Sequence, residues 1–525
     1  MALLLVPGLA AADEAEQIYR SDAVVEIDLG LSAEAEKSLE DEPDEDVDAT
    51  FTARLTDGTP GGSTVTLTSG HPVEIHLKGS VKGSFRPFAD GKSAFKLKFP
   101  KTERFLGLRK MTLNNMVEDP SMLHETLSYG LFRQLGVPAP RTGFAYLRIN
   151  GEDFGTYLNL ETIDLVALER LYPTAGTLHL YEGEDGADVD VPGISEYEMD
   201  EGDEPRADLE SLAAAIAAAS PSFSQRLAGL ADLEEMTRMW AVEKYVSHWD
   251  GYSGAEGEFL PNNYYLHSDL AGVFQMLPWG TDLTWQTDER IGFNGPGGLL
   301  FNGCYADPAC NALFVKALEE VQDAVEALDP EALATATAAL LKPWQELEVV
   351  ESTRTEHSLT RIDEEVADVH RYITERPAEL SAWLQAVAPP PLPPPPPGPP
   401  LPPLAEGAKS SPPQAPLPPT PVPAPTLERI AVIKHRHSFT IRLTISGPGW
   451  VSGKATMRWA DGEQKVCADG AAADSAGTVS LRCDLSPAAQ RRLARRWLRF
   501  NFSAHLRSAD GQVADLGTVV RMPRS

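Results

Sequence analysis

The chain has 525 residues, 42% of them hydrophobic, which is enough apolar material for a large core and too much for a chain disordered throughout. Its formal charge of −32 is uneven, with +8 on residues 426–525 and −40 on residues 1–425. So acidic a body repels phosphate backbones, which excludes nucleic acid as its partner, and no stretch reaches the roughly 18 uninterrupted apolar residues of a membrane span.

The chain opens MALLLVPGLAAADEAEQ, an apolar run that ends in alanines and turns polar, like the second half of a secretory signal without its basic start. Residues 1–20 are therefore expected to be a signal remnant, with a plain apolar tail as the alternative. Alternation in VEIHLKG (Val73 to Gly79) and SAFKLKF (Ser93 to Phe99) predicts half-buried strands. On the second, Phe95, Leu97 and Phe99 face the core while Lys96 and Lys98 point away. Asp119 is expected to cap a helix that starts at Pro120 and stops at Gly136. FAYLRING and DFGTYLNLE read as two strands around an Asn150-Gly151 hairpin turn.

Helical periodicity then runs through 209–218, 230–248, 312–328 and much of 331–387, so the second half is mainly helical. Acidic loops interrupt it at 41–47 and 182–204. Within the latter, DGADVDV (Asp185 to Val191) lacks the twelve-residue calcium loop ending in Glu and reads as a solvated acidic loop. The proline tract 389–425 predicts a stiff extended spacer. It separates a folded unit at 21–388 from a unit at 426–525 whose FTIRLTI, KATMRWA and TVSLRCDL alternate as strands of a small all-β, sandwich-like domain. The basic run AQRRLARRWLRF (Ala489 to Phe500) reads as a solvated helix face, with an acidic partner as the alternative. The four cysteines fall into local pairs, Cys304/Cys310 and Cys467/Cys483, which fits disulfides of an exported protein; two pairs of buried free thiols are the alternative.

Three central segments carry the chemistry: VSHWDGYSG around Asp250, PNNYYLH around Asn263 and LPWGTDLTW around Asp282. They present an acid, an amide and a second acid in the order in which protein kinases place an acceptor hydroxyl and hold magnesium on ATP. Taken singly, Asp250 before a glycine reads equally as a helix-end turn and Asp282 as a loop cap. The order of the set points to phosphoryl transfer.

With these segments in place, the chain resembles the CotH family, the spore-coat protein H-like atypical kinases. The resemblance rests on LKG at Leu77, KSAFKLKF at Lys92, MTLNN through Asp119, LFRQLGVPAPR, NGEDFGTYLNLE, NNYYLH and PWGTDLTW, over about residues 73–285. Two departures from the family pattern are Lys78 where Arg is usual and PWGTD in place of a Trp-Asp arrangement. The resemblance implies an α+β, reduced protein-kinase-like fold with a β-rich N-lobe and a mainly helical C-lobe. It also implies ATP with Mg2+ or Mn2+ as cofactors and Ser/Thr of a secreted, coat or surface protein as acceptor.

On this basis Asp250 serves the acceptor hydroxyl, Asp282 is the main metal ligand, and Asn263 or its neighbour Asn262 adds a neutral oxygen. Lys96 or Lys98, with Lys92 as a third choice, grips the phosphates, and Glu125 on the following helix pairs with that lysine. Glu161 lies where a hinge toward the adenine is expected, and KGSVKGSF (Lys78 to Phe85) offers backbone amides to phosphate. The competing function is an inactive scaffold or adhesive surface protein that binds through the C-terminal β-domain. A metal-dependent hydrolase is weaker, because no H-E-x-x-H, H-x-x-E-H or G-x-S-x-G motif occurs.

Overall fold

A computed structural model describes residues 13–79, 84–183, 186–190, 193–254 and 261–387, and, nearer the C-terminus, 427–434, 438–446, 449–459, 462–473, 477–485, 498–508 and 513–522. The first twelve residues of the signal-like start, the centre of the KGSVKGSF loop, part of DGADVDV, the proline tract and most of the basic run lie outside the described residues, whereas Ala15, Ile18 and Tyr19, expected in the signal remnant, pack into the core of the first unit. The chain divides into two units, Met1–Ala388 and Pro389–Ser525.

The first unit opens with β1 (Val24–Leu31), α1 (Ala33–Asp41), β2 (Val47–Thr56), β3 (Thr64–Leu77), β4 (Phe95–Lys98), β5 (Lys110–Asn114), α2 (His124–Gln134), β6 (Thr142–Ile149) and β7 (Glu152–Leu160). The strands form a closed barrel in the order β1-β2-β3-β4-β5-β7-β6, with β1 closing on β6 in parallel. Strand alternation sends every second side chain inward. Ile75, Leu97 and Met111 are cross-strand partners and fully buried, while Lys96 and Lys98 take the outer face. β3 is longer than the expected strand from Val73, because its first half is a largely exposed arm paired with β2.

The helix expected from Pro120 starts four residues later, at His124. Pro120 to Leu123 instead form a turn with Met122 at φ 60°, and Asp119 accepts from the backbone N–H of Met122 (3.0 Å) and of His124 (2.9 Å). The carboxylate still satisfies the helix start, one turn further on than read. The end falls as expected: Gly136 has φ 78°, and Val137 N–H reaches back to the Phe132 carbonyl, the bond that closes a glycine-terminated helix. Asn150 (φ 51°) and Gly151 (φ 84°) make the two-residue turn between β6 and β7.

After the barrel come α3 (Leu165–Leu171), β8 (His179–Gly183), β9 (Glu198–Glu201), α4 (Ala207–Ala217), α5 (Phe223–Leu227), α6 (Leu233–Val246), β10 (Tyr264–Ser268), β11 (Phe274–Pro278), α7 (Leu299–Ala306), α8 (Pro308–Leu328), α9 (Pro330–Glu351) and α10 (Leu359–Val387). β8 to β11 form a four-stranded sheet in the order β11-β10-β8-β9. These strands are only four or five residues long, too short to show a clear alternation. The helices pack with this sheet around one apolar core that includes the fully buried Trp240, Trp285 and Trp344. Cys304 on α7 is bonded to Cys310 on α8. The unit thus mixes helices with a barrel and a small sheet, an α+β arrangement. Among the described residues no helix is long and apolar enough to cross a membrane.

In the second unit β12 (Leu427–Lys434), β13 (Ser438–Ile445), β14 (Gly449–Trp459), β15 (Gly462–Ala473), β16 (Gly477–Asp484), β17 (Leu498–Ser508) and β18 (Val513–Met522) form two sheets, β12-β13-β16 and β15-β14-β17-β18. Ile441, Leu481, Val451 and Phe500, drawn from both sheets, share one core, and the disulfide Cys467–Cys483 links β15 to β16. Leu498 to Phe500, the described end of the basic run, open strand β17 rather than a helix, because the run ends in the apolar alternation LRFNF.

Candidate active site

The β10–β11 hairpin brings two of the three chemical segments together. Tyr264 pairs with Pro278, so Asn263 and Trp279 lie side by side at its open end, and Trp279 N–H donates to the Asn263 carbonyl at 3.1 Å. Three residues after Trp279, Asp282 sits in a 3-10 turn, Thr281–Leu283. Gly280 before it has φ 52°, and a Cβ there would come within 2.4 Å of Asn263 Oδ1. Only glycine lets the amide lie against this turn.

The third segment arrives from α6, which ends in Ser247 with left-handed backbone (φ 57°). The chain then turns through His248 and Asp250 under the hold of Glu243, a buried carboxylate that accepts Tyr252 N–H (3.0 Å) and Ser253 N–H (2.8 Å). Asn263 Nδ2 donates to Asp250 Oδ2 at 2.8 Å and to its carbonyl at 3.0 Å, and Asn262 Nδ2 donates to Asp250 Oδ1 at 3.2 Å. His248 Nε2–H donates to the Gly280 carbonyl at 3.1 Å, and burial pushes this imidazole down to about 3, so it stays neutral. Acid, amide and second acid therefore form one cluster, with Asn263 bonded to Asp250 and lying against the residue that starts the Asp282 turn.

A polar chain from the barrel, its half-buried Lys78 joined to the buried Asn114, Glu125 and Tyr129, faces Asp282. Lys78, directly after β3, donates from Nζ to Asn114 Oδ1 at 2.5 Å, Asn114 Nδ2 donates to Glu125 Oε2 at 2.8 Å, and Tyr129 OH donates to Glu125 Oε1 at 3.2 Å. Burial raises Glu125 to about 7, and the nearby Asp282 adds to the rise against the pull of Lys78. Burial likewise raises the Asp282 carboxyl, opposed by Lys78, and lowers the Lys78 ammonium, opposed by Glu125 and Asp282. Glu118, lifted by burial and then by Asp282, also faces this point. Desolvated carboxylates of raised pKa beside one cation mark a place that favours added positive charge.

The other residues singled out in the sequence lie differently. Lys96 borders the cleft, where its charge acts on Lys78 and on Glu182 of β8. Lys98, two residues along the same face, donates to Asp46 at 2.5 Å on the barrel's outer surface. Lys92 is buried against Glu348 of α9 at 2.6 Å. Glu161 is buried between Arg141 (2.8 Å) and Arg170 (2.5 Å), which hold both of its oxygens. The structure thus groups Asp250, Asn263, Asp282 and Glu125 and does not bring Lys98 or Glu161 to them. The sequence reading noted Lys78 where the family has Arg and Asn114 within MTLNN but gave neither a role of its own, and it did not single out His124. For Lys78 the available signal was its place at the exit of a strand, where a side chain reaches past the sheet.

A family model described as "CotH kinase protein" matches residues 75–380. The chain is similar to inner spore coat protein H of Bacillus subtilis (strain 168), with 27% identity over 229 residues, 41% of this chain and 59% of that protein. It is 34% identical over 104 residues to an inner spore coat protein H-like protein of the same organism, 17% of this chain and 33% of that one. Invasin CotH2 of Rhizopus delemar is 23% identical over 267 residues, 46% of this chain and 45% of the invasin. The chain therefore spans 33% to 59% of the length of these curated relatives.

Proposed function

The chain belongs to the CotH kinase protein family, whose matched region encloses the whole cluster just described, and from that premise we propose that it is an exported atypical kinase. It transfers the γ-phosphate of ATP to Ser or Thr of a coat or surface protein. The observation that carries this reading is the Asn263 amide, bonded to Asp250 while it lies against the turn of Asp282. A turn or cap role for the two acids does not call for an amide bonded to one and packed against the glycine that precedes the other's turn.

Each residue then has a task. Asp250, its carboxylate oriented by two amides, accepts the hydrogen bond of the acceptor hydroxyl and aligns it. Lys78, held by Asn114 and through it by Glu125, contacts the nucleotide phosphates, with Lys96 at the cleft edge. Asp282 and Asn263 would hold Mg2+ or Mn2+. Among the described residues no three His, Cys, Asp or Glu side chains form a metal cage. That fits a magnesium held by one or two protein oxygens and completed by phosphate and water. The hard-oxygen donors and the desolvated, cation-seeking Asp282 suit this ion. Bound nucleotide and metal supply the transferable phosphoryl group and neutralise its charge, while this chain's residues supply position.

A second reading, an inactive scaffold or adhesin, draws on relatives whose names describe a spore coat protein and an invasin. Incubating the full chain with labelled ATP and Mg2+ or Mn2+ separates the two. Label on the chain or on a Ser-rich acceptor is expected of the kinase. Wild-type protein that binds no nucleotide leaves the scaffold standing.

A further inference from the structure

The first turn of α2 does more than present Glu125. The neighbouring His124 is fully buried, and its Nδ1 lies 2.6 Å from the backbone carbonyl of Asp282, so Nδ1 carries the proton and donates. On the far side of the ring Nε2 makes no hydrogen bond, with Asp119 Oδ1 at 3.6 Å and Glu365 Oε1 of α10 at 3.7 Å. One helical turn on, Ser128 Oγ accepts the indole N–H of Trp285 at 2.9 Å and meets Thr284 Oγ1 at 3.0 Å. α2 thus holds the Asp282 turn at its middle, through His124, and the two residues that follow it, 284–285, through Ser128.

A residue serving packing alone would be apolar here; the two carboxylates on the Nε2 side stand beyond hydrogen-bond reach, so the ring's one directed bond is the one to the Asp282 carbonyl. Without that bond the carbonyl of Asp282 would lose its imidazole donor in a buried place. We infer that His124 is a positioning residue for Asp282: its Nδ1–H fixes the backbone of the metal-binding turn and so aims the carboxylate. The inference rests on the reading of Asp282 as a metal ligand, and it concerns orientation, because the ring touches the turn's backbone and not the carboxylate.

Partners that orient a metal ligand typically change metal affinity by about 10–100-fold when removed. The test uses the full chain and Mn2+ titrated by electron paramagnetic resonance in the presence of a non-hydrolysable ATP analogue. His124→Leu removes the donor. His124→Gln keeps polarity but moves the amide to the Nε2 end, and His124→Asn keeps an N–H close to the Nδ1 position. We expect Leu and Gln to weaken Mn2+ binding about 10-fold or more and Asn to stay within about 3-fold of the parent. Hydrogen exchange across residues 280–285, measured without metal, should quicken in Leu and Gln and not in Asn. A Gln variant that melts like the parent and matches it in both measurements overturns the inference, even if Leu does not fold. Wild type that binds no Mn2+ with the analogue defeats the metal-site reading instead, and the exchange data then decide alone whether His124 holds the turn.

Discussion

Two lysines of one barrel make an instructive contrast. Lys98 closes β4 on the outer face and meets Asp46 where water reaches both partners, about a third of each side chain being exposed. Lys78 leaves the end of the adjacent strand and enters a polar chain through Asn114 to Glu125, facing Asp282. The same side-chain chemistry yields a screened surface pair in one place and a strained electrostatic cluster in the other. Both stand at a strand's end, so the surroundings rather than the residue type or its place make the difference: Lys78 meets the buried Asn114 and Glu125, and a low-dielectric surrounding magnifies each charge.

That contrast predicts a graded series. Within the cleft, Asp250→Ala and Asp282→Ala should each lower phosphate transfer by about 10²–10⁴-fold, the range for a positioned catalytic group. Calorimetry should then divide them: Asp282→Ala also loses metal-dependent nucleotide binding, whereas Asp250→Ala keeps it. Equal retention of binding in both variants would place Asp282 among the structural residues.

Next in size is Lys92→Met. This breaks the buried pair with Glu348, whose other oxygen accepts Thr156 N–H at 2.8 Å, and should cost about 3–5 kcal/mol in denaturant unfolding. Adding Glu348→Leu should recover part of it, since an apolar pair leaves no buried charge uncompensated.

The raised carboxyl of Glu125 makes a pH prediction. Its folded value of about 7 exceeds the ordinary 4.5, so between these values the folded state binds more protons than the unfolded one. The stability it contributes is complete below the unfolded value and is lost as pH rises through about 7. Melting curves from pH 5 to 8 should therefore show the parent losing up to about 3 kcal/mol relative to Glu125→Gln, which does not titrate. A constant difference between the two across that range would mean that Glu125 is ionised throughout.

The smallest effects return to the two lysines. Lys78→Met should weaken nucleotide binding by about 10–100-fold, the equivalent of losing one charge-assisted hydrogen bond. Lys98→Met should leave binding at the parental level and cost less than about 1 kcal/mol of stability, as exposed pairs do. A reversed pattern would return the phosphate-gripping role to β4.

Particular residues show why parts of this site were legible. Asp250, Asn263 and Asp282 stand within 33 residues, at the ends of a helix and a hairpin, and short connections keep their order in space. Asn150-Gly151 and Gly136 declared their turns because left-handed backbone leaves few alternatives. β8 and β9 were hidden because four or five residues of mixed polarity carry no period, and nothing local announces that Arg141 and Arg170 will enclose Glu161.

By itself, then, the sequence determined the barrel strands' inward faces, the helical second half, the cysteine pairs and the order of acid, amide and acid. These follow from periodicity and from short-range geometry. Only the tertiary structure decided which lysine enters the cleft, that His124 and Ser128 hold the Asp282 turn and the residues that follow it, and that Lys92 reaches Glu348 on a helix more than 250 residues away. Such partners are chosen by the closure of the barrel and the packing of α2, α9 and α10. Alternation tells which face a side chain takes, and not which distant element will cover it.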